Sequence, residues 1–199
     1  MKTINMGIDL DGVLFSWSRS FSKVVHDLYP AHEIIMDERE QIVGREWSEW
    51  AAPKEIITKA WNTLHNMENM WETLETLNPD QVKYMIEKFN KANLNIYFIT
   101  ARIGSPGRPL LKQCINALKA QGWDDPQVII SFKKGIVAKA LELDYFLDDF
   151  AENCVEVIME RPQTEVYLLD KKYNRILQDK YFHINRISRL EEFVDKVIK

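Results

Sequence analysis

Several carboxylate, hydroxyl and ammonium side chains in this chain follow short apolar runs, at the point where each run ends. They are, in chain order, Asp9, Asp11, Thr100, Lys133, Lys134, Asp148 and Asp149. Carboxylates in such a group are hard oxygen ligands suited to Mg²⁺, and one of them can instead attack phosphorus and form a covalent intermediate. Hydroxyl and ammonium groups are donors for phosphate oxygens, and a carboxyl group can protonate a leaving oxygen. The set therefore indicates phosphoryl transfer.

The apolar runs are predicted to be the parallel strands of one sheet. Each is short and rich in β-branched or aromatic residues, as buried parallel strands are. The runs cover 4–9, 94–100, 127–131, 144–148 and 165–169. Ligands bind at the carboxyl edge of such sheets, so the polar side chains at the strand ends are expected to converge there. Gly12 allows a bend after Asp9 that would turn both Asp9 and Asp11 towards one site.

Helical patterns alternate with these runs from residue 78 onward. One opens at Asn78-Pro79-Asp80 and places Val82, Met85, Ile86 and Phe89 on one face, and the others cover about 109–121, 135–143, 151–160 and 189–198. Strand and helix alternation of this kind predicts an α/β fold with a doubly wound parallel sheet.

The stretch 16–77 breaks this alternation. It has several helical patterns, no convincing strand, and most of the tryptophans of the chain, namely Trp17, Trp47, Trp50, Trp61 and Trp71. We therefore predict a small helical cap, residues 16–77, inserted after the first strand of a core made of residues 1–15 and 78–199.

Composition restricts the class of protein without naming a function. The chain has 199 residues, a net charge of -4 and 46% hydrophobic residues. It has no apolar run long enough to span a membrane, no signal-peptide pattern and no basic stretch suited to long nucleic acid. Cys114 and Cys154 lack metal-ligand spacing. We expect a cytoplasmic globule that acts on small molecules, and an oligomer is compatible with the sequence.

Four segments resemble, in order, the motifs of the haloacid dehalogenase (HAD) superfamily of phosphohydrolases: GIDLDGVLF, FITAR, SFKKG and YFLDDF. Within it the chain is most similar to the 5'(3')-deoxyribonucleotidase-like group, through the Asp148-Asp149 pair, the helical cap and the tail YLLDKKYNR…RISRLEEF. The similarity spans nearly the whole chain. It implies a HAD-like, Rossmannoid core and a Mg²⁺-dependent phosphomonoesterase that acts through an aspartyl-phosphate. The implied substrate is a small phosphorylated metabolite, preferably a (deoxy)nucleoside monophosphate.

The resemblance also implies the roles of the acidic residues. Asp9 would be the nucleophile and a metal ligand. Asp11 would be the general acid and base, with its main-chain carbonyl on the metal. Asp149 would bind Mg²⁺, supported by Asp148.

The phosphate-binding part departs from the family pattern in two places. Thr100 would bind phosphate and orient the nucleophile, but the serine that follows it in deoxyribonucleotidases is replaced here. Ala101 would contribute only its main-chain amide, and Arg102, expected at the surface, would at most add charge. The spacing from the lysines to the acidic pair is also about one helical turn longer than in the deoxyribonucleotidases. Lys134 is the preferred phosphate ligand, and Lys133 stays open.

Several functional alternatives remain at this point. A receiver-like phosphoacceptor domain also combines acidic residues, a threonine and a lysine, although its acceptor does not lie in a DxD on the first strand. A binding module with a decayed site is a further alternative, as are phosphatases for sugar phosphates or nucleic-acid 3' ends. Trp71 is the candidate for stacking on a substrate base. No role is assigned to the histidines, His26, His32, His65 and His183.

Overall fold

The computed structural model of this protein describes residues 3–32, 52–175 and 184–198. The strands are β1 (Ile4–Ile8), β2 (Phe15–Ser16), β3 (Glu75–Thr76), β4 (Leu94–Thr100), β5 (Gln127–Ile130), β6 (Tyr145–Asp148), β7 (Glu165–Leu169) and β8 (Asn185–Ile187). The helices are α1 (Trp17–Leu28), α2 (Lys54–His65), α3 (Pro79–Phe89), α4 (Leu110–Gln121), α5 (Lys134–Ala140), α6 (Ala151–Glu160), α7 (Lys172–Arg175) and α8 (Leu190–Val197).

A six-stranded sheet in the order β5-β4-β1-β6-β7-β8 forms the centre of the described residues, and all of its neighbouring strands are parallel. Strands added after β1 lie first on one side of it and then, from β6 onward, on the other. The predicted doubly wound α/β fold is confirmed. Where the order reverses, between β1 and β6, the strand ends leave the crevice in which such folds bind ligands.

The helical faces follow the apolar spacing of the sequence. α3 buries Val82, Met85, Ile86 and Phe89, as predicted, and it packs against α8. Gly122 ends α4 with φ of 106°, a left-handed conformation that glycine adopts without strain. These helices cover the sheet and fix the positions of its strand ends.

One prediction about strands was wrong, and one strand was not predicted. The stretch 16–77 was expected to lack strands, but its ends include β3 and part of β2, which pair antiparallel as a short ribbon. β8 was also not predicted, because only three residues form it and two of them, Asn185 and Arg186, are polar. Short strands of this kind are set by their neighbours rather than by their own sequence.

The helices α1 and α2 lie between the ribbon strands in the chain and pack against each other. Trp17 stacks on Phe21 with ring centroids 4.7 Å apart and meets Trp61 at 5.2 Å. One buried apolar cluster includes Phe21 as well as Ile8 of the sheet. Trp47 and Trp50 lie outside the described residues, and the bounds of the cap stay a prediction. Among the described helices, none combines the length and apolar character needed to cross a membrane.

Candidate active site

Asp9 follows β1 directly and lies at the reversal point of the sheet. Its main-chain N–H donates to the carbonyl of Leu147 on β6 at 2.9 Å, which extends the pairing of the two central strands by one residue. The residue is only 6% exposed. One oxygen of its carboxylate accepts from Lys134, and the other has no hydrogen-bond partner in the described part of the chain.

Lys134 joins two of the predicted acidic residues. Its ammonium group lies 2.5 Å from Oδ1 of Asp9 and 2.7 Å from Oδ2 of Asp148. The side chain is buried because α5 begins at this residue and packs closely on α6: a Cβ on Gly135 would lie 2.5 Å from the carbonyl oxygen of Glu156. Lys133, by contrast, is exposed. Of the two candidate lysines, Lys134 is the one that the fold brings to the carboxylates.

Both carboxylate oxygens of Asp148 accept hydrogen bonds from other residues. Besides Lys134, it accepts from the main-chain N–H of Phe150 at 2.8 Å and from the Asn153 amide at 3.1 Å on each oxygen. The residue is fully buried. Because both oxygens already have protein partners, Asp148 is better placed to support the site than to contact a substrate.

Asp149 comes directly after β6 and is also buried. The hydroxyl of Tyr173 donates to its Oδ2 atom, and the Asn174 amide donates to its main-chain carbonyl at 2.9 Å. Asn174 also bonds the carbonyl of Leu169, so α7 is fastened to the ends of both β6 and β7. These contacts fix the Asp149 carboxylate beside Asp9.

The turn after Asp9 brings Asp11 towards the same cavity. Gly12 adopts φ of 80°, and a Cβ at this position would overlap the carboxylate of Asp149. Only glycine allows this close approach at low cost. The bend predicted from Gly12 is therefore present.

Asp11 has a partner that the sequence did not suggest. The Arg102 guanidinium donates to both of its oxygens, from Nε to Oδ2 and from Nη2 to Oδ1, each at 2.8 Å. The expectation that Arg102 lies at the surface was wrong, since the residue is 3% exposed. It follows the buried end of β4, where Thr100 Oγ1 accepts its main-chain N–H at 3.3 Å.

The predicted site residues Asp9, Asp11, Thr100, Ala101, Lys134, Asp149 and Trp71 line one cavity of about 530 Å³. Asp148 lies just beneath it, bonded to Lys134. The remaining walls are mostly aromatic, and they comprise Trp17, Trp61, His65, Arg102, Ile103, Phe132, Phe150 and Asn153. A polar floor and aromatic walls of this kind suit a small molecule with a polar end and an apolar body.

Trp71 lies in the cavity wall but is only 4% exposed. The Arg102 guanidinium carbon lies 4.6 Å from the centre of its ring, and the ring of His65 meets it edge to face at 5.5 Å. Its indole N–H donates to the carbonyl of Ile103 at 2.8 Å. Most of the surface that a base would need is thus already in contact with protein, and the stacking role of Trp71 stays a prediction.

Burial governs the electrostatics of the floor. It raises the pKa of Asp9 well above its usual value, against the opposing effect of Lys134. Burial, assisted by Asp148, also raises the pKa of Asp149 to about 6. Burial alone would lower the pKa of Lys134, but Asp148 and Asp9 outweigh it, so its pKa is raised and the ammonium stays charged.

The floor has the composition of a cation site. Asp9, Asp148 and Asp149 each offer an oxygen atom, and these atoms lie within 4.8 Å of one another. When all three are ionised, Lys134 and the buried Lys171, which lowers the pKa of Asp149, do not balance all of the negative charge. A buried excess of charge is costly unless a cation is bound. Hard carboxylate oxygens and an excess of negative charge fit Mg²⁺.

Several residues around the floor were not predicted. Asn153 lies in the helical pattern 151–160 and Tyr173 in the segment YLLDKKYNR, and neither was assigned a bond to the acidic pair. His65 ends α2, and neither of its ring nitrogens has a hydrogen-bond partner among the described residues. Phe132 precedes the two lysines and is 66% exposed although it lines the cavity. The sequence signal for Phe132 is its place in the segment SFKKG, directly before the two lysines.

No protein-family model and no curated protein sequence matches this chain. Solved structures do match over almost the whole length. One is a HAD-family hydrolase from Deinococcus radiodurans R1 described with bound phosphate and sodium, with 9% identity, 96% of this chain and 93% of the other covered, and a TM-score of 0.57. A second is described as a dehalogenase, with 11% identity, coverage of 100% and 98%, and a TM-score of 0.59.

A third similar structure is a predicted phosphoglycolate phosphatase from Haemophilus somnus 129pt, with 13% identity, 99% of each chain covered and a TM-score of 0.56. At such identities the likeness concerns the fold. The chain has the HAD-like, Rossmannoid architecture that these hydrolases share.

Proposed function

We propose that this protein is a Mg²⁺-dependent phosphomonoesterase that uses Asp9 as its nucleophile and acts on a nucleoside monophosphate. The observation that carries the proposal is the buried arrangement of Lys134 between Asp9 and Asp148, with Asp149 beside them and Asp11 lining the same cavity. A nucleophile, a fixed positive charge and a second carboxyl group facing one cavity are the parts that phosphoryl transfer requires.

In the first step, the carboxylate oxygen of Asp9 that does not contact Lys134 attacks phosphorus in line with the ester oxygen. The P–O bond to the leaving group breaks, and its electron pair goes to the leaving oxygen, which takes a proton from Asp11. Lys134 stabilises the charge on the transferred group, and Thr100 and the main-chain amide of Ala101 bind its oxygens. The product is an aspartyl-phosphate on Asp9 and a free alcohol.

In the second step, water attacks the phosphorus of the aspartyl-phosphate. Asp11, now ionised, accepts the proton of that water, and the bond between phosphorus and Asp9 breaks. Inorganic phosphate leaves, and both carboxyl groups regain their starting state. One group therefore serves as acid and then as base, which requires that it face the leaving oxygen and the water in turn.

Asp9, Asp149 and the main-chain carbonyl of Asp11 would hold Mg²⁺, with Asp148 in support. Bound there, the ion would offset the charge of the phosphate and of the carboxylates as the transferred group passes between oxygens.

The aromatic walls favour a nucleotide over a sugar phosphate. Trp17, Trp61, Phe132 and Phe150 line the same cavity as the acidic floor. An aromatic side chain contributes on the order of 1–3 kcal/mol when it stacks on a base. The similarity of the motifs to the 5'(3')-deoxyribonucleotidase-like group points in the same direction.

The chemistry of the floor also argues against dehalogenation, although one similar structure is described as a dehalogenase. A halide leaves as an anion and needs no proton from Asp11, nor a divalent cation. A receiver-like acceptor is disfavoured because the acidic floor opens into a cavity with room for a small molecule.

A hydrolysis screen tests the proposal. Nucleoside 5'- and 3'-monophosphates, sugar phosphates and 3'-phosphorylated oligonucleotides are supplied with Mg²⁺, and released phosphate is measured for the wild type and for Asp9→Asn. We expect hydrolysis of nucleoside monophosphates that chelation abolishes and Mg²⁺ restores. Preferential release from sugar phosphates would contradict the nucleotide assignment, and equal rates for wild type and Asp9→Asn would contradict the enzyme assignment.

A further inference from the structure

Arg102 is a charged residue that the reaction as described above does not use, although its side chain is completely buried. Burying a guanidinium is costly unless its donors are satisfied, so its partners indicate its purpose. Those partners are Asp11, at two bonds of 2.8 Å, and the sulfur of Cys114, which is 3.7 Å from Nη1. The Asp11 pair raises the pKa of Arg102 in spite of its burial.

Two aromatic rings hold the guanidinium in place. Its central carbon lies 5.0 Å from the ring centre of Phe15 and 4.6 Å from that of Trp71. Phe15 belongs to β2 and directly precedes the predicted cap, whereas Trp71 follows α2 near the end of that cap. A planar guanidinium packed in this way has little freedom to rotate.

The consequence concerns the orientation of Asp11. A carboxylate that accepts two parallel N–H bonds from one guanidinium is fixed in its plane as well as in its position. Each oxygen keeps a second lone pair on the other side, and 27% of the side chain stays accessible. The accessible part of Asp11 lines the cavity that also contains Asp9.

We propose that Arg102 is a positioning residue: packed against the rings of Phe15 and Trp71, it orients the carboxyl group of Asp11 for proton transfer to the leaving oxygen and from water. The assignment rests on the proposed function, because it requires Asp11 to act as acid and base. It gives Trp71 a role that does not depend on contact with the substrate.

Leaving-group dependence separates this role from a merely structural one. p-Nitrophenolate leaves without protonation, whereas the alcohol of a nucleotide needs a proton from Asp11. If Arg102 acts through Asp11, Arg102→Met should slow formation of the phosphoenzyme about 100-fold with a nucleoside monophosphate, as for a misplaced catalytic group. The initial burst of p-nitrophenol should keep its rate, while steady-state turnover falls because water attack still needs Asp11 as base.

A double-mutant cycle provides the second readout. In an Asp11→Asn background there is no acid to orient, so adding Arg102→Met should change turnover by no more than about twofold. Asp11→Asn should also melt at a lower temperature than wild type, because it leaves a buried guanidinium without its counter-ion, and Arg102→Met should restore part of that loss. If Arg102→Met alone does not fold, Arg102→Lys keeps the charge without the two-pronged geometry and should show the same leaving-group dependence to a smaller degree.

Arg108→Met is the matched control, since Arg108 lies in the same loop but pairs with Glu72 at 3.3 Å and is half exposed. It should leave both rates unchanged. Equal slowing of the p-nitrophenol burst and of nucleotide cleavage by Arg102→Met, or additive losses in the cycle, would overturn the positioning role. A wild-type protein that hydrolyses neither substrate would contradict the proposed function and this role together, whereas an active wild type with an unaffected Arg102→Met variant would contradict this role alone.

Discussion

The two sides of the cavity solve the problem of buried charge differently. On the side of the strand ends, Asp9 and Asp148 share the ammonium group of Lys134, Asp149 lies beside them, and negative charge is in excess. On the side towards α2, Asp11 and Arg102 form a complete pair enclosed by aromatic rings. The first arrangement requires a cation to become balanced, whereas the second is balanced already. The strand-end side is therefore suited to bind a cation, and the paired side is suited to fix the orientation of Asp11.

The largest effect is expected at the nucleophile on the strand-end side. Asp9→Asn keeps the shape of the side chain but removes the attacking oxygen and a charged ligand. We expect turnover to fall by several orders of magnitude, measured as phosphate release with Mg²⁺. The melting temperature should change little, because Lys134 keeps its bond to Asp148. Retention of more than a few per cent of the activity would contradict the covalent route.

The excess of negative charge can be tested directly at Lys134. Lys134→Met leaves the buried carboxylates without their ammonium partner, so we expect a loss of about 3–5 kcal/mol in the free energy of unfolding of the metal-free protein. Mg²⁺ should recover more stability in this variant than in the wild type, because it supplies the missing charge. Chemical denaturation with and without Mg²⁺ measures both.

Lys139→Met is the control for that experiment, since Lys139 pairs with Glu160 in solvent and exposed pairs contribute little. A Lys134→Met protein as stable as this control, with or without Mg²⁺, would show that the floor is not short of positive charge. Arg102→Met should lose less free energy of unfolding than Lys134→Met, because the partly exposed Asp11 can be hydrated once its partner is gone.

The two sides also differ in how far the sequence predicts them. Asp9, Thr100 and Asp149 lie where buried strands end, and the topology of a parallel sheet brings such residues together whatever their side chains do. Short apolar runs and helical spacing suffice to predict that topology. The convergence of these residues on one cavity was therefore predictable from the pattern of β1, β4 and β6.

The contact between Asp11 and Arg102 on the paired side could not be predicted from the sequence pattern. The contact of Arg102 with Asp11 spans 91 positions of the chain and depends on the path of a loop after β4. Nothing in the sequence distinguishes this arginine from an exposed one until the fold places Phe15 and Trp71 next to it. Contacts made by long side chains across elements follow from packing, which periodicity does not encode.

A smaller effect is expected at the hydrogen bond from Tyr173 to Asp149 on the strand-end side. Tyr173→Phe removes the hydroxyl that donates to Asp149 while keeping the ring. Loss of a group that orients a metal ligand weakens binding by roughly tenfold or more, so we expect the affinity for Mg²⁺ to fall about tenfold. Titration of Mg²⁺ by calorimetry measures this without reference to activity.

Tyr84→Phe is the matched control, because its hydroxyl bonds the exposed Asp195. Equal Mg²⁺ affinities for the two variants would show that Asp149 does not depend on Tyr173. A gain in affinity for Tyr173→Phe would mean that the hydroxyl competes with the ion for the same oxygen.

The smallest effect should decide which aromatic residue contacts the substrate. Phe132 is 66% exposed at the cavity, whereas Trp71 is 4% exposed and packed on Arg102. Phe132→Ala should therefore raise the KM for a nucleoside monophosphate about fivefold, the equivalent of about 1 kcal/mol of stacking, with no change in melting temperature. The KM for a sugar phosphate should not change, since it has no base to stack.

Trp71→Ala should behave in the opposite way. Removing a buried tryptophan costs about 3–5 kcal/mol in the free energy of unfolding, and here it also frees one face of the Arg102 guanidinium. We expect a lower melting temperature and a lower kcat on nucleotides and sugar phosphates alike, because both leave as alcohols that need Asp11. If Trp71→Ala instead raises the KM for nucleotides alone while Phe132→Ala has no effect, the base stacks on Trp71, beside the pair of Asp11 and Arg102. The division of the cavity into a binding side and a holding side is then wrong.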